Sequence, residues 1–429
     1  MTDGAKTAHL YLPKLLTAMR EGYTMAAFRA DAVAALTVAI VALPLSMAIA
    51  VASGVSPERG LYAAIIGGAL VSALGGSRFQ IGGPAGAFIV LVAATAARFG
   101  LDGLLLTVLI SGLLLVILGL LRLGSLIRYV PHAVTVGFTA GIAVIIFASQ
   151  IKDLTGLHLN VPEPGPLLAK VAVLAAAAPT LTPFAAGIGV FTVAVIVLLR
   201  RFRPAWPGML IAVVGAAAAA AFLDLPVETV GSRFGALPRG LPAPHLPAMS
   251  YDLLLQLLPA IISFTLLGGI ESLLSAKVAD SMTGRKHRSN MELVAQGIAN
   301  IGSALCGGIS VTGTIARTAT NIRAGARSPL AGIMHSAFLL VFLLVAAPLA
   351  GFIPLAALAG ILTVVCWNMP EKAEFLRLLR EWRTASVLLA TFVVTLAEDL
   401  TSGIIAGCLV AAALGIAARI RTSSTPKPG

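Results

Sequence analysis

The sequence predicts an all-α membrane protein whose helices cross the bilayer many times. Of its 429 residues, 58% are hydrophobic and only 11% are charged, and the mean hydropathy is +0.97. These values lie far outside the range of soluble domains. Apolar runs that can cross about 30 Å of hydrocarbon as a helix recur along almost the whole chain. Lipid is therefore the predicted surroundings of most of the surface.

The charge and the cysteines exclude several other classes of protein. The net charge of +12 is not gathered into basic blocks interleaved with aromatic residues, so no nucleic-acid partner is expected. Cys306, Cys366 and Cys408 lie in or beside apolar segments without metal-ligand or redox spacing. Neither a cofactor nor a metal site is predicted from them. No group of His, Asp, Ser or Cys has catalytic spacing at a membrane surface, so an enzyme is not expected.

The first element is a cytoplasmic segment, residues 1–30. Leu12, Leu15, Leu16 and Met19 repeat at helical spacing, which predicts a short amphipathic helix lying in the membrane interface. The apolar run that follows is too long for the core of a signal peptide. It is therefore predicted to be a retained first span.

The spans then fall into two sets of seven. The first repeat, residues 31–224, is predicted to hold spans at 31–53, 58–76, 85–98, 102–121, 131–150, 184–200 and 205–223. An extracellular linker, 225–252, leads to the second repeat, 253–421, with spans at 254–279, 291–306, 316–326, 329–350, 353–368, 384–397 and 401–420. A short cytoplasmic tail, 422–429, ends the sequence.

The cationic side chains predict the orientation of these spans. Lys and Arg accumulate in short cytoplasmic loops. With the N-terminus inside, most of the 30 Lys and Arg residues fall on the cytoplasmic side. The few in external loops are Arg59, Arg98, Lys152, Lys170, Arg233 and Arg239. Both termini are therefore predicted to be cytoplasmic.

The two sets of spans also resemble each other. Pro131, Gly137 and Gly141 in the fifth span are echoed by Pro354 and Gly360 in the twelfth. Two repeats with an odd number of spans enter the membrane in opposite directions, which is the inverted-repeat plan of many secondary transporters. Chance recurrence of glycine and proline in an Ala- and Gly-rich chain is the alternative.

The third and tenth spans are predicted to be broken half-helices. Each is short, and the segments before them, 77–84 and 308–314, are rich in residues that disfavour helix. Such backbone is tolerated at membrane depth only where protein or a water-filled cavity satisfies its polar groups. If both half-helices begin near the midplane, their free N–H groups and positive dipole ends converge and attract an anion.

Two ionisable residues inside spans are candidates for function. Arg317 lies in the first turn of the second half-helix, where it would reinforce the positive field. Glu271 lies well within the eighth span, where a carboxylate is a candidate proton acceptor or cation ligand. A static ion pair between Arg317 and Glu271 is the structural alternative.

Other features have structural readings as strong as their functional ones. His335 in the eleventh span could relay protons, although a lone membrane His more often bonds a neighbouring helix. Ser289 with Glu292 fits a capping box that opens the ninth span. The pairs Gly137/Gly141 and Gly403/Gly407 suit close helix packing, either in an oligomer or inside the bundle.

Several motifs together resemble the sulfate permease (SulP) family of anion transporters, over nearly the whole chain. These motifs are Leu43-Pro44 through Ser53-Gly54-Val55-Ser56-Pro57 to Gly60-Leu61-Tyr62, Gly82-Gly83-Pro84, Glu271-Ser272-Leu273-Leu274-Ser275 with Val278-Ala279-Asp280, and Thr312-Gly313-Thr314-Ile315-Ala316-Arg317-Thr318.

The resemblance implies a core and a gate subdomain, elevator-like movement between them, and an anion held between the third and tenth spans. It implies a substrate site formed by Ser46, Ile49, Ala85, Gly86, Ala87, Phe88, Thr312, Gly313, Thr314, Ile315, Ala316 and Arg317. The acidic position, here Glu271, is associated in the family with coupling to protons, or to sodium when it is Asp beside a hydroxyl such as that of Ser275. Leu45, Ile49 and Ala85 differ from residues common in the family, which leaves the anion open.

Expectations for function follow from both lines of reasoning. We expect proton-coupled symport of a small anion of the sulfate, bicarbonate or dicarboxylate class in a bacterial inner membrane, with a homodimer possible. Sodium-coupled bicarbonate symport, a passive anion channel or exchanger, and a nucleobase permease are the alternatives. Family members usually continue into a cytoplasmic STAS domain, whereas this sequence stops at Gly429 soon after the last predicted span. Either a shortened or a natural short form would give that ending.

Overall fold

Helices form almost all of the regular structure, as the sequence predicts. The computed structural model describes residues 11–124, 131–161, 163–164, 167–204, 206–398 and 400–423. The predicted features of residues 1–10 and 424–429 lie outside these ranges.

The first half of the described chain runs from the N-terminal helix to the linker. Its helices are α1 Lys14–Arg20, α2 Met25–Ala52, α3 Pro57–Tyr62, α4 Gly68–Leu74, α5 Ile89–Leu120, α6 His132–Thr155, α7 Leu167–Ala177, α8 Pro183–Phe202 and α9 Gly208–Phe222. A π-helical turn, Ala63–Gly67, joins α3 to α4, and 3₁₀ turns span Gly86–Phe88 and Ala178–Thr180.

The second half begins with a short helix in the linker. Its helices are α10 Val230–Phe234, α11 Tyr251–Thr283, α12 Ser289–Leu305, α13 Ile315–Arg323, α14 Leu330–Ala350, α15 Leu355–Asn368, α16 Lys372–Leu378, α17 Trp382–Ala397 and α18 Leu400–Ser423. Two short strands, β1 Gly82–Gly83 and β2 Thr312–Gly313, complete the regular structure.

Each predicted span coincides with a helix, but the helices differ in length. Among the described residues, those long and apolar enough to cross a membrane unaided are Met25–Ala52, Gly86–Leu120, His132–Thr155, Pro183–Phe202, Tyr251–Thr283 and Leu330–Ala350. The other apolar helices are shorter. The number of membrane crossings therefore stays a prediction.

The observed helices depart from the predicted spans in two places. The third and fourth predicted spans form one helical run, α5, which is interrupted at Gly100, where φ is 69° and ψ is −173°. Glycine reaches such a backbone conformation without steric cost, so it can turn the chain between two helical stretches. Helix α7 was not predicted, because its sequence was read as part of an external loop.

The helices pack as two groups. The core group comprises α2, α3, α4, α5, α11, α12, α13 and α14, with its most extensive contact between α5 and α12. The gate group comprises α6, α8, α9, α15, α17 and α18. Helix α15 against α2 makes the largest contact between the groups. The sequence resemblance implied such a core and gate division.

The internal repeat is visible where equivalent helices begin. Pro131 precedes α6 with φ −61° and ψ 137°, and Pro354 precedes α15 with φ −65° and ψ 138°. Six residues further on, Gly137 packs on the backbone of Leu388 and Gly360 packs on Thr192. The matching conformations and packing positions support a repeat rather than chance recurrence of proline and glycine.

The paired glycines of the gate group pack inside the bundle. A Cβ at Gly407 would lie 1.9 Å from Thr391 Oγ1, and one at Gly403 would lie 2.0 Å from Thr395 Oγ1. A Cβ at Gly141 would also meet the Thr395 side chain, at 2.8 Å. These glycines therefore let α6 and α18 approach α17 closely.

Helix α1 is present as predicted, and it docks on the ends of the core helices. The Tyr11 hydroxyl donates to Leu120 O at 2.9 Å, and the Lys14 amide donates to Gly75 O at 2.9 Å. Arg288 donates to Thr17 Oγ1 at 3.0 Å. The N-terminal segment thus joins the ends of α4, α5 and α12.

Candidate anion site

The site is built around the antiparallel pairing of β1 and β2. Gly82 pairs with Gly313, and Gly83 pairs with Thr312. A 3₁₀ turn at Gly86–Phe88 leads from β1 into α5, and α13 begins directly after β2. Because the two strands run in opposite directions, the two helical segments leave the pair in opposite directions. Both helical starts, with their unpaired N–H groups and positive dipole ends, therefore lie beside the strand pair.

Side chains from the second repeat hold the segment that contains β1. Thr318 Oγ1 accepts a hydrogen bond from the Ile81 amide at 3.1 Å, and Asn321 Nδ2 donates to Phe79 O at 2.9 Å. The amide of Thr314 donates to Ile81 O at 3.0 Å. The backbone polar groups of this buried, non-helical segment are thus satisfied by protein, as segments at membrane depth require.

Helix α12 holds the segment that contains β2. Asn300 Oδ1 accepts from the Val311 amide at 2.9 Å, and Asn300 Nδ2 donates to Val311 O at 2.7 Å. One helical turn later, Ser303 Oγ donates to Ile309 O at 2.7 Å. The start of α13 is consequently fixed by side chains of its own repeat as well as by β1.

Arg317 is buried next to this strand pair, in the first turn of α13. Its side chain is 1% exposed, and its Nη2 donates to Ser46 Oγ at 3.1 Å and to Pro84 O at 3.3 Å. Ser46 in turn donates to Ala42 O at 2.7 Å. Arg317 Nε and Nη1 have no hydrogen-bond partner in the described part of the chain. The guanidinium therefore keeps N–H donors available at the junction.

The ion pair between Arg317 and Glu271, the structural alternative raised by the sequence, is absent among the described residues. Within the ranges that the structure describes, no carboxylate lies within 4.0 Å of the Arg317 guanidinium. A buried Arg without an acidic partner leaves a net positive charge, which is costly unless a ligand balances it. The structural alternative raised by the sequence is thus wrong, and the reading of Arg317 as an anion ligand stays a prediction.

The structure places most of the predicted substrate residues at or beside the strand pair; for Ile49 it shows only a buried position on α2. Ser46 and Ile49 lie on α2, where Ser46 contacts Arg317 directly. The remaining predicted residues lie at the two helical starts and in β2: Ala85, Gly86, Ala87 and Phe88 on one side, and Thr312, Gly313, Thr314, Ile315 and Ala316 on the other. Ile315 and Ala316 are exposed, so the opening turn of α13 is accessible.

The coupling candidates lie one helical turn apart on α11, which packs against α13 and β2. Ser275 Oγ lies 3.2 Å from Thr318 Oγ1, and the neighbouring Ser272 Oγ lies 2.8 Å from Thr312 Oγ1. The Glu271 side chain is partly exposed. None of the described residues forms an ion pair with it. Glu271 is therefore a carboxylate without an ion-pair partner among the described residues, on a helix that packs against α13 and β2.

A metal cluster is not found among the residues for which the structure gives positions. No group of three or more His, Cys, Asp or Glu side chains converges there. The oxygens of Glu271 and Ser275 would be the starting point of a sodium site, as the sequence reading allowed. That alternative stays a prediction.

A second buried carboxylate, Glu292, was misread from the sequence. The predicted capping box with Ser289 is wrong, because Arg288 is the N-cap residue of α12 and no side chain caps this end. Glu292 is fully buried and accepts from the Ser77 amide at 2.9 Å and from Gln296 Nε2 at 3.0 Å. It anchors the start of the segment that leads to β1.

Two other polar residues that shape the site were not predicted from the sequence. Gln80 Nε2 donates to Ser272 O at 3.0 Å, and Asn300 fixes the approach to β2. Asn300 is a polar residue inside a predicted span, which is the signal that singled out Glu271. Applying that signal to amides as well as charges would have found Asn300, whereas Gln80 lies in the non-helical segment before the third span.

Comparison with solved structures identifies the architecture. The transmembrane domain of a cyanobacterial bicarbonate transporter, BicA, matches with a TM-score of 0.80 and 29% identity, covering 91% of this chain and 98% of that domain. SLC26A9 matches with a TM-score of 0.88 and 17% identity, covering 96% of this chain and 69% of that one. The second likeness shows a common fold.

Sequence relatives give the same grouping. YvdB of Bacillus subtilis (strain 168), to which sulfate transport is provisionally ascribed, is 43% identical over 393 residues, 91% of this chain and 74% of YvdB. The bicarbonate transporter BicA of Picosynechococcus (strain ATCC 27264 / PCC 7002 / PR-6) is 30% identical over 403 residues, 90% of this chain and 70% of BicA. The family model of the sulfate permeases matches residues 28–395. The chain is therefore an integral membrane protein that belongs to the sulfate permease family.

Proposed function

We propose that this protein is a secondary active transporter of small oxyanions of the sulfate, bicarbonate or dicarboxylate class. The single observation that carries the proposal is the junction of the two helical starts, where the buried Arg317 keeps N–H donors without an acidic partner. Charge-assisted hydrogen bonds from a guanidinium and from helix N-termini suit an oxyanion. An oxyanion would also balance the buried positive charge.

The relatives support this class of substrate and a location. YvdB and BicA are named for sulfate and bicarbonate transport respectively. Both anions carry several oxygen acceptors, which match the donors at the junction. Because these relatives are bacterial, we propose a bacterial inner membrane as the location. The excess of Lys and Arg in the loops predicted to be cytoplasmic supports an orientation with both termini on that side.

Coupling to protons is assigned to Glu271. The carboxylate lies on α11 beside the helical start that carries Arg317, and it has no ion-pair partner among the described residues. A proton on Glu271 would compensate part of the charge of the anion in transit. The hydroxyls of Ser275 and Thr318, 3.2 Å apart, favour sodium coupling as the second candidate, since they could join Glu271 in an oxygen ligand set.

Alternating access is assigned to movement of the core group against the gate group. The anion-site residues on α2, α5 and α13, and the coupling residues on α11, all belong to the core group. An elevator movement would therefore carry the whole site as one unit. The gate group would remain as the stationary partner.

Flux into proteoliposomes tests the proposal. Four anions are compared, namely sulfate, bicarbonate, chloride and a dicarboxylate. We expect saturable uptake of at least one of the three that carry oxygen acceptors, and uptake that rises with an inwardly directed proton gradient. In Glu271→Gln the side chain cannot titrate, so the response to the gradient should be lost. Asp252→Asn is the matched control, because Asp252 is exposed at the opposite end of the same helix.

The outcomes separate the candidates. If uptake does not respond to the proton gradient but requires a sodium gradient, the coupling ion is sodium rather than the proton. Passive flux without saturable counterflow would indicate a channel. Uptake of nucleobases with no uptake of any of the four anions would refute the proposal.

A further inference from the structure

A buried polar cluster lies behind the anion site, on the side formed by α14. His335 on this helix is 0% exposed, and neither of its ring nitrogens has a hydrogen-bond partner among the described residues. Buried polar groups in native proteins are almost always hydrogen-bonded to protein or to ordered water. The sequence reading that His335 bonds a neighbouring helix is therefore wrong.

Arg317, on the other side of the cluster, also has polar atoms without a hydrogen-bond partner in the described ranges. Its Nη2 is used by Ser46 and Pro84, whereas Nε and Nη1 have no protein partner in the described ranges.

The guanidinium and α14 meet at the same turn of the chain. A Cβ built on Gly83 would lie 2.1 Å from Arg317 Nη1 and 3.6 Å from the Cα of Ala64, in the π-helical turn. Ser336, the residue after His335, donates to Ala64 O at 3.2 Å. The π-helical turn is therefore the common neighbour of Arg317 Nη1 and of the His335 segment.

A third polar side chain without a hydrogen-bond partner in the described chain lies next to α14. Ser72 is 2% exposed, and its Oγ has no hydrogen-bond partner within the described chain. A Cβ at Gly332, one turn before His335, would lie 2.0 Å from Ser72 Oγ. Ser72 thus faces the part of α14 that carries His335.

We propose that His335 positions Arg317 through ordered water held between them. A buried water typically makes about three hydrogen bonds to polar groups that lack other partners. Such water would accept from Arg317 Nε or Nη1 and donate to a ring nitrogen of His335, since a neutral imidazole offers one acceptor and one donor. Ser72 would take part in the same network. This inference rests on the proposed role of Arg317 in binding the anion.

The network would have a defined effect on transport. Nη2 is held by Ser46 and Pro84, so the water to His335 would fix the rotation of the guanidinium plane. Removing the acceptor at His335 would let the plane rotate, and the anion would then be bound more weakly. His335 would not contact the anion, so it is a positioning residue.

Anion binding to single and double variants of the purified full chain tests the inference. We expect His335→Leu to weaken equilibrium binding of the transported anion on the order of tenfold, the scale of one hydrogen bond to a charged group. His335→Gln keeps an acceptor and a donor, so its affinity should stay within about threefold of the native protein. His245→Leu, at an exposed histidine in the linker, is the control and should bind normally.

Arg317→Lys, alone and combined with His335→Leu, completes a double-mutant cycle. The shorter lysine lacks the planar donors, so adding His335→Leu to it should have no further effect. If His335→Leu weakens anion binding by the same factor in the native protein and in Arg317→Lys, the positioning role is overturned. Native affinity in His335→Leu alone would overturn it as well. Native affinity in Arg317→Lys and Arg317→Gln alike would instead refute the proposed anion site.

A second measurement applies if His335→Leu does not fold. An experimental density map of the native protein should show water within hydrogen-bond distance of both the guanidinium and the imidazole. Direct contact between them, or an apolar side chain in that space, would overturn the inference.

Discussion

The residue that dominates the site is Arg317, and its surroundings explain why a glycine stands opposite it. A Cβ at Gly83 would lie 2.1 Å from Arg317 Nη1, which is far inside van der Waals contact. The carbonyl oxygen of the next residue, Pro84, accepts a hydrogen bond from Nη2. Gly83 therefore provides the space in which the guanidinium lies against the backbone.

Gly83→Ala tests this packing. The added methyl group must displace the guanidinium from its place beside Ser46, so we expect the KM for the transported anion to rise about tenfold or more. Gly187→Ala on α8 is the matched control, because nothing lies within 4 Å of a Cβ at that position. A native KM in Gly83→Ala would show that the position of Arg317 does not govern binding.

At this scale, the sequence predicted the residues better than their contacts. Arg317 and Glu271 were found because a charge inside a span is costly and so indicates function. Whether they form an ion pair could not be predicted, because the same sequence is compatible with an ion pair and with two separate roles. The role of Gln80 depends on a contact with Ser272, 192 residues away, which local patterns do not reveal.

At the scale of elements, α12 acts as the support of the second helical start. Asn300 satisfies both backbone polar groups of Val311, a residue that is 1% exposed, and so fixes the extended segment before β2. Helix α12 also packs along α5, where a Cβ at Gly297 would lie 2.4 Å from Gly112 O. This close crossing joins the supports of the two helical starts.

Asn300→Ala should destabilise the protein and the site together. The buried N–H and C=O of Val311 would lose their partners, and each unsatisfied buried group costs about 1–3 kcal/mol. We expect a melting temperature several degrees lower for the purified protein, with a weaker affinity for the anion. Asn160→Ala, at an exposed position, is the control. An unchanged melting temperature in Asn300→Ala would mean that this segment is held by other contacts.

Helix α1 offers a pH-dependent test at the same scale. Arg78 lies 2.7 Å from Glu21, and this hydrogen bond lowers the pKa of the Glu21 carboxyl below its usual value of about 4.3. A lowered pKa contributes stability above the usual value, and that contribution is lost as the pH falls through the lowered pKa. Docking of α1 should therefore weaken only in acid.

Hydrogen exchange at residues 14–20 measures this docking. Protection should be constant near neutral pH and should fall below about pH 4. Glu21→Gln should give weaker protection that does not change across this range. Protection that instead falls as the pH rises would contradict the assigned ion pair.

Element boundaries show what hydropathy can and cannot specify. The long apolar runs predicted the helices of both repeats, because lipid-facing helices need apolar side chains on every lipid-exposed face. Helix α7 was missed because its Lys170 was read as a loop residue, whereas this lysine is 6% exposed and paired with Glu163 at 2.7 Å. A lysine that is covered and paired in the fold cannot be told from a loop lysine by its charge alone.

At the scale of the whole molecule, the described helices form two groups, and the proposed anion site lies within one of them. Residues assigned to anion binding and to coupling lie in the core group, and α15 of the gate group packs against α2, the helix that carries Ser46. The repeat was visible in the sequence as paired Pro and Gly positions. The antiparallel pairing of β1 with β2 was not, because it joins residues about half a chain apart.

Equilibrium binding of the transported anion to the purified protein in lipid nanodiscs tests the central claim most directly. The account predicts that Arg317→Gln weakens binding by at least about tenfold, because a charge-assisted hydrogen-bond donor is lost from the junction of the two helical starts. Arg323→Gln, at the exposed end of the same helix, should bind the anion as the native protein does. Equal affinity of the native protein and Arg317→Gln would contradict the account.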